Sequence, residues 1–175
     1  PRGEMRTEKK FKSAILGNER RISVYLPPDY DPSGAPYPMF LVFDQLTYVS
    51  MIPTPRILNN LIYAEKIPPV VAVFVGNARG ARNDELTYND TFVDFLASEL
   101  VPWIRENFNV STHPRKIVIA GSSFGGLAAS FVAFRHPELF GNVIFQSGSY
   151  WWSPDTNSSV LAHEVEGEWL TRQYA

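Results

Sequence analysis

Four short apolar segments alternate with helix-like segments along this chain, and this alternation constrains the fold more than any other feature. They read "MFLVF" at 39–43, "VVAVFV" at 70–75, "KIVIA" at 116–120 and "NVIFQ" at 142–146. Continuous apolar runs of this length are typical of strands that are buried on both faces. Because helical patterns and short loops separate them, we predict an α/β chain with a mostly parallel sheet and helices on both faces.

An antiparallel hairpin is predicted ahead of these strands. Two β-rich segments, 11–16 and 20–26, flank the turn residues Gly17 and Asn18, which is the pattern of a hairpin. Pro27, which is followed by a second proline, should stop the second strand. The sheet is therefore expected to begin with an N-terminal antiparallel hairpin.

Start and stop signals predict where the helices begin. Thr54 followed by a proline is typical of an N-cap, and Thr91-x-x-Asp94 resembles a capping box. Pro102 falls inside the second of these helices and should kink or split it. The last residues are less regular, with a weak helical pattern at 164–174.

Composition excludes several classes of protein. The 175 residues fit one domain, assigned here to 1–175, and the formal net charge of −2 gives no reason to expect a nucleic acid or an anionic membrane as partner. No apolar run reaches the length of a membrane span, and no signal-peptide pattern opens the chain. With no cysteine and three histidines, neither a disulfide nor a resident metal or other cofactor is expected.

The segment "KIVIAGSSFGGLAAS" at 116–130 contains the pattern G-x-S-x-G between a predicted strand and a predicted helix that ends near Arg135. This is the context of a nucleophile elbow, which identifies Ser123 as the candidate catalytic residue. Gly121 and Gly125 satisfy the need for small residues on either side of the sharp turn. The backbone N–H of Phe124 is the expected first oxyanion donor. The alternative is a glycine-rich turn that carries no chemistry.

A serine nucleophile needs a base and an acid, and the chain offers poor candidates for both. His136 follows the elbow helix and lies about 20 Å from Ser123 along that helix, while His113 belongs at the opposite end of the elbow strand. Asp155 and His163 follow in the right order, but no buried strand separates them. We therefore expect the chain to be truncated, with the last strands, the acid and the histidine beyond residue 175.

Several segments together resemble the catalytic domain of the enterochelin (enterobactin) esterases, which are esterase D-like α/β-hydrolases. The resemblance runs from about residue 11 to residue 175. Besides the elbow, it is carried by "FGNVIFQSGSYWW" at 140–152, "ARNDEL" at 81–86, "YLPPDYD" at 25–31 and "LVFDQLTY" at 41–48. It implies an α/β-hydrolase fold and a serine esterase that hydrolyses the trilactone of a catecholate siderophore, usually as the ferric complex, so that iron can be released.

The resemblance also assigns the second oxyanion donor. Relatives usually have Asp-Gly after the third strand, whereas this chain has Asp44 followed by Gln45. The backbone N–H of Gln45 is implied as the second donor. A strained backbone angle at this position would cost more than it would with glycine.

Four residues are expected to bind substrate. Arg82 lies in a loop after the strand at 70–75, at the edge of the sheet where α/β proteins bind ligands, and a guanidinium attracts an anionic tris-catecholate. Its alternative role is that of a solvated arginine, paired with Glu85. The aromatic residues Tyr150, Trp151 and Trp152 follow another strand at the same edge and are expected to form a wall for catechol rings, with core packing over the elbow as the alternative.

Other functions stay open at this stage. One is a feruloyl or carbohydrate ester hydrolase of the same superfamily, and another is a siderophore-binding remnant without catalysis. The only partner expected is a small-molecule substrate, which would itself bring any iron. A cytoplasmic location is favoured, with the periplasm as the alternative, and the sequence gives no oligomeric state.

Overall fold

The computed structural model describes residues 2–154 and 169–174. Asp155 and His163, considered above as acid and base, lie outside the described residues, as does the first part of the weak helical pattern near the end. Six strands are found in the described part of the chain, and they form one sheet in the order β1-β2-β4-β3-β5-β6. Their bounds are β1 Glu4–Ser13, β2 Asn18–Leu26, β3 Met39–Val42, β4 Val71–Val75, β5 Ile117–Ser122 and β6 Asn142–Gln146.

The pairing of the strands confirms the predicted sheet. β1 and β2 form the antiparallel hairpin, and β2 joins β4 antiparallel. The remaining neighbours β4-β3, β3-β5 and β5-β6 all pair in parallel. β1 begins at Glu4, earlier than residue 11, because its exposed first half pairs with β2 through the backbone and has no apolar pattern to reveal it.

Helices cover both faces of the sheet, as predicted. They are α1 Thr54–Tyr63, α2 Arg82–Leu86, α3 Asp90–Phe95, α4 Val101–Asn107, α5 Phe124–Arg135 and α6 Trp169–Tyr174, with π-helical turns at Thr47–Met51 and Leu96–Leu100 and a 3-10 turn at Pro114–Lys116. Alternate residues of β2, β3, β4 and β5 enter two separate apolar clusters. One cluster contains Leu41 and Ala128 of α5, and the other contains Val42 and Leu58 of α1.

The predicted strand at 142–146 has the predicted bounds but not the predicted burial. Ile144 and Phe145 of β6 are 50% and 55% exposed. The reason is that β6 lies at the end of the sheet formed by the described residues and pairs there with β5 alone.

Both predicted N-caps were wrong by one or two residues. Asn89 caps α3, because its side-chain oxygen accepts a hydrogen bond from the Phe92 N–H at 2.9 Å. Asparagine caps better than threonine, so the helix begins before Thr91. Thr54 is the first residue of α1 rather than its cap, and its hydroxyl donates back to the carbonyl of Ile52.

Pro102 distorts the second helix without breaking it, because the backbone stays right-handed helical on both sides of a π-helical turn. α3 ends at Phe95, a π-helical turn follows, and α4 begins at Val101. Because proline has no N–H, it cannot donate to a carbonyl of the preceding turn. The N–H of Val101 reaches back to Leu96 instead and widens the turn.

Candidate active site

Ser123 lies at the tight turn between β5 and α5, where its side chain is exposed. Its backbone has φ 57° and ψ −122°, a conformation that side chains other than glycine rarely adopt. The turn is held by its neighbours: the Ser123 N–H donates to the Gln146 carbonyl at 3.0 Å, and its own carbonyl accepts from Gly126 and Leu127. The serine is therefore presented at the carboxyl edge of the sheet by a strained and well-supported backbone.

Each glycine of the elbow lies against a different neighbouring group, which restricts the size of the side chain there. A Cβ on Gly121 would lie 2.2 Å from the carbonyl oxygen of Gly125, which confirms that the turn needs glycine there. A Cβ on Gly125 would instead meet Asp44, at 3.3 Å from Oδ2. A Cβ on Gly126 would lie 3.1 Å from the Cα of Gly148. The elbow is thus packed against the chain that follows both β3 and β6.

Phe124 is the first residue of α5, so its N–H is among the four at a helix start that have no acceptor within the helix. This places it where a helix N-terminus favours negative charge. Its ring packs near the ring of Trp151, with centroids 5.9 Å apart.

Ser149 is a site residue to which the sequence analysis gave no role. Its hydroxyl oxygen lies 3.1 Å from that of Ser123, and its N–H donates to the Ser123 carbonyl at 3.1 Å. The side chain is buried, with 3% of the residue exposed. The only signal in the sequence was its place in the segment from Gln146 that carries the family resemblance.

The structure gives Arg82 a different position and a different ion-pair partner from those considered in the sequence analysis. It begins α2 rather than lying in a loop, and it forms a two-point ion pair with Asp44, with Nε 2.6 Å from Oδ1 and Nη2 2.8 Å from Oδ2. Asn77 adds a third hydrogen bond to Oδ1 at 2.8 Å. Hydrogen bonding to Asp44 raises the pKa of the Arg82 guanidinium above its ordinary value.

The suggested pairing of Arg82 with Glu85 was wrong. Glu85 is buried and accepts two hydrogen bonds from Arg20 of β2, at 2.7 and 2.9 Å. The Arg20 guanidinium also lies over the ring of Phe95, 4.5 Å from its centroid. A buried carboxylate needs a charged partner. Because that partner is on β2, the ion pair holds α2 against the sheet.

Backbone strain in this loop falls on Asp44 and not on Gln45. Asp44 has φ 57°, and Gln45 is not among the described residues with positive φ. Aspartate tolerates the left-handed region better than most residues do, so a side chain at residue 45 carries no such penalty. The amide of Gln45 is buried and donates to the hydroxyl of Ser23 at 3.1 Å.

The three aromatic residues after β6 divide into two kinds. Tyr150 and Trp151 are 37% and 44% exposed, and the hydroxyl of Tyr150 bonds that of Ser130. Trp152 is only half-buried and stacks on Tyr88, with centroids 6.1 Å apart. Thus the first two offer surface to a ligand, while Trp152 packs into an aromatic cluster.

The two described histidines serve as loop and capping residues, as expected. His113 caps the 3-10 turn by accepting from the Arg115 N–H at 3.2 Å. His136 follows α5 and bonds the Glu138 carboxylate at 2.7 Å, which lowers the pKa of Glu138. Neither is bonded to Ser123.

An open cleft of about 450 Å³ lies at the same edge of the sheet. Its lining residues come from the loops after β3 and β4 and from α2: Asp44, Gln45, Leu46, Thr47, Gly76, Asn77 and Arg82, together with Arg21 of β2. A larger cavity of about 520 Å³ lies against α1 and is lined by none of the candidate site residues. The smaller cleft therefore contains Asp44, Gln45 and Arg82 of the candidate site, whereas Ser123 and the aromatic residues after β6 do not line it.

Two findings concern metals and membranes. Among residues 2–154 and 169–174, no three acidic or histidine side chains come together in a way that would hold a metal ion. Nor does any helix in those ranges combine the length and apolar character needed to cross a membrane.

A mostly parallel sheet, helices on both faces and a serine on a strained turn between strand and helix define the α/β-hydrolase class. Comparison with known families agrees with this class. The family model described as "Putative esterase" matches residues 13–174, and the chain belongs to this esterase family.

Individual relatives narrow the comparison. The chain is 32% identical over 143 residues to the iron(III) enterobactin esterase of Escherichia coli K12, covering 81% of this chain and 35% of that protein. It is 34% identical over 92 residues to an endo-1,4-beta-xylanase/feruloyl esterase of Xylanibacter ruminicola, covering 49% of this chain and 12% of that protein. The chain thus spans about a third of the length of the enterobactin esterase that it matches.

A solved structure of an enterobactin esterase has the same fold. The enterobactin esterase of Shigella flexneri, crystallised in the presence of enterobactin, superposes with a TM-score of 0.76 at 28% identity. The match covers 90% of this chain and 40% of that one.

Proposed function

We propose that this chain carries the nucleophile and the oxyanion donors of a serine esterase whose substrate is the trilactone of a catecholate siderophore, taken as the ferric complex. The observation that carries the proposal is Ser123, exposed at φ 57° between β5 and α5. Membership of the esterase family and the likeness to enterobactin esterases support the reaction and the substrate class. A cytoplasmic location is part of the same proposal.

The proposed mechanism is acyl transfer. The Ser123 hydroxyl attacks a seryl ester carbonyl while a histidine, acting as general base, takes its proton. The N–H groups of Phe124 and Gln45 hold the oxyanion of the tetrahedral intermediate. The intermediate collapses, the histidine returns the proton to the departing seryl alkoxide, and water then releases the acyl group from Ser123.

Substrate binding is assigned to the residues around the cleft. The ion pair with Asp44 uses two of the five N–H groups of Arg82, which leaves three for catecholate oxygens. The exposed rings of Tyr150 and Trp151 form a wall against which catechols can pack. Trp152 anchors this wall through its stacking on Tyr88.

Chromatography of ferric enterobactin incubated with the full-length protein tests the proposal. Linear products are expected from the native protein and from the control Ser122→Ala, whereas Ser123→Ala should form none. The substrate assignment fails if the native protein cleaves simple aryl esters but leaves the trilactone intact. Residues 1–175 alone are expected to show little esterase activity, and fast turnover by them would show that the general base lies among them.

A feruloyl or carbohydrate ester is the second candidate substrate. It is favoured by the likeness to the xylanase/feruloyl esterase and by the ion pair, because Asp44 offsets the charge with which Arg82 would attract an anion. Hydrolysis of feruloyl sugars but not of the trilactone would support it.

A further inference from the structure

We propose that Asp44 is a positioning residue for the oxyanion site. Its carboxylate, held by Arg82 and Asn77, fixes the backbone that directs the N–H of Gln45, and Arg82 neutralises the charge of that carboxylate. The inference rests on the proposed function in one respect, namely that Gln45 is an oxyanion donor. It gives Arg82 a part in the hydrolysis of every ester, whether or not the substrate is charged.

The backbone conformation of Asp44 indicates a positioning role. Asp44 has a left-handed backbone, φ 57°, immediately before Gln45. A residue holds such a conformation only when its surroundings impose it. Three hydrogen bonds of 2.6–2.8 Å reach its side chain from Asn77, just after β4, and from Arg82 at the start of α2. Two separate parts of the chain therefore fix the orientation of residue 44.

The contact between Arg82 and Asp44 is itself held in place. α2 is fastened to β2 by the buried ion pair of Glu85 with Arg20, whose side chains are 4% and 0% exposed. Arg82, one turn earlier on the same helix, is thereby set against Asp44. A loose surface pair would not fix a backbone, because exposed ion pairs contribute little.

Hydrogen bonds also join residue 44 to the elbow. The Asp44 carbonyl accepts from the Tyr48 N–H at 3.2 Å, and the Tyr48 hydroxyl donates to the side chain of Gln146 at 2.8 Å. The Gln146 carbonyl in turn accepts from the Ser123 N–H. Burial raises the pKa of the Tyr48 phenol, so it remains a donor at neutral pH. The loop of Gln45 and the turn of Ser123 are therefore fixed relative to each other.

The charge of the Asp44 carboxylate also affects the oxyanion site. Oδ2 of Asp44 packs against Gly125 in the first turn of α5, the helix whose first N–H belongs to Phe124. A bare carboxylate there would oppose the negative charge that develops on the substrate oxygen. The two-point contact with Arg82 offsets that charge. Loss of Arg82 should therefore slow the chemical step itself.

The experiment uses the full-length protein and two substrates, the neutral ester 4-nitrophenyl butyrate and ferric enterobactin. For Arg82→Met we expect kcat on the neutral ester to fall about tenfold or more with KM nearly unchanged, since loss of oxyanion stabilisation affects the transition state. The double variant Asp44→Asn with Arg82→Met should recover about threefold or more of that loss, because the uncompensated charge is gone. Arg79→Met is the matched control and should behave as the native protein does, because Arg79 is exposed in the loop just before α2.

Two outcomes would overturn the inference. In one, Arg82→Met leaves kcat on the neutral ester unchanged and raises only KM for the siderophore, which makes Arg82 a substrate ligand alone. In the other, the double variant is no faster than Arg82→Met. If Arg82→Met does not fold, Asn77→Ala carries the test, with kcat on the neutral ester expected to fall about threefold or more and an unchanged kcat counting against the inference. Failure to hydrolyse the siderophore would refute the proposed substrate but leave the neutral-ester result intact.

Discussion

Replacement of Gly121 by alanine tests the elbow most directly. The new Cβ would lie 2.2 Å from the Gly125 carbonyl oxygen, whereas ordinary contact begins at 3.4 Å, so the turn must open by about 1.2 Å. Both partners are backbone, which means that no side-chain rotation can relieve the clash. Overpacking of this kind costs about 1–3 kcal/mol, or a Tm lowered by about 2–12 °C in a chain of this size.

The effect on activity should exceed the effect on stability. A displacement of about 1 Å near a reacting group can reduce the rate about a hundredfold, and Gly121 is two residues from Ser123. Thermal unfolding measures the loss of stability, and kcat on 4-nitrophenyl butyrate measures the loss of activity. Gly125→Ala is the matched control, because its Cβ would meet a side-chain oxygen at 3.3 Å and needs only a small adjustment. The steric argument would be refuted if Gly121→Ala kept the native Tm and kcat, or if Gly125→Ala were the more damaging change.

Three further predictions concern other residues. Ser149→Ala removes the hydroxyl that lies 3.1 Å from the Ser123 oxygen. Because the Ser123 hydroxyl loses this hydrogen bond, we expect kcat to fall about threefold to tenfold. An unchanged rate of fluorophosphonate labelling of Ser123 would show that the hydrogen bond does not assist the nucleophile. Glu85→Ala leaves the Arg20 guanidinium buried without its partner and should lower the free energy of unfolding by about 3–5 kcal/mol in urea denaturation; a loss below about 1 kcal/mol would show that the pair is not holding α2. Burial raises the pKa of Tyr48 above its ordinary value of 10.0, so its contribution to stability is complete below that pH and is lost as the pH rises through the folded-state pKa. Tm measured at increasing alkaline pH should fall less steeply for Tyr48→Phe than for the native protein, and equal slopes would argue against this cause.

The central strands were predictable because a short apolar run in the sequence is enough to indicate a buried strand. The apolar runs of β3, β4 and β5 fill both faces of the sheet, so the segment at 70–75 could be recognised without knowledge of its neighbours. Helix starts were harder to predict, because Asn89 and Thr91 are both capable caps and the sequence does not say which one bonds the turn. The error at α3 was accordingly one of position and not of type.

The site was predictable only where one short segment contains it. The elbow occupies consecutive residues, so its glycines and Ser123 could be found from spacing. The partner of Arg82 lies 38 positions away, after a different strand, and nothing in the local pattern distinguishes Asp44 from the much nearer Glu85. The position of the strain at residue 44 instead of 45 is likewise set by tertiary contacts that no local pattern encodes.

Backbone strain gives a final reason to prefer chemistry over a simple glycine-rich turn. Positive φ values occur at three residues just beyond three parallel strands: Asp44 after β3, Ser123 after β5 and Ser147 after β6. Glycine would adopt these angles without penalty, while other residues lose about 1–3 kcal/mol each. A turn with no function gains nothing from a serine at position 123. The cost becomes understandable if the hydroxyl is used, and for the same reason we attach function to the carboxylate of Asp44, which lies just beyond the neighbouring strand β3.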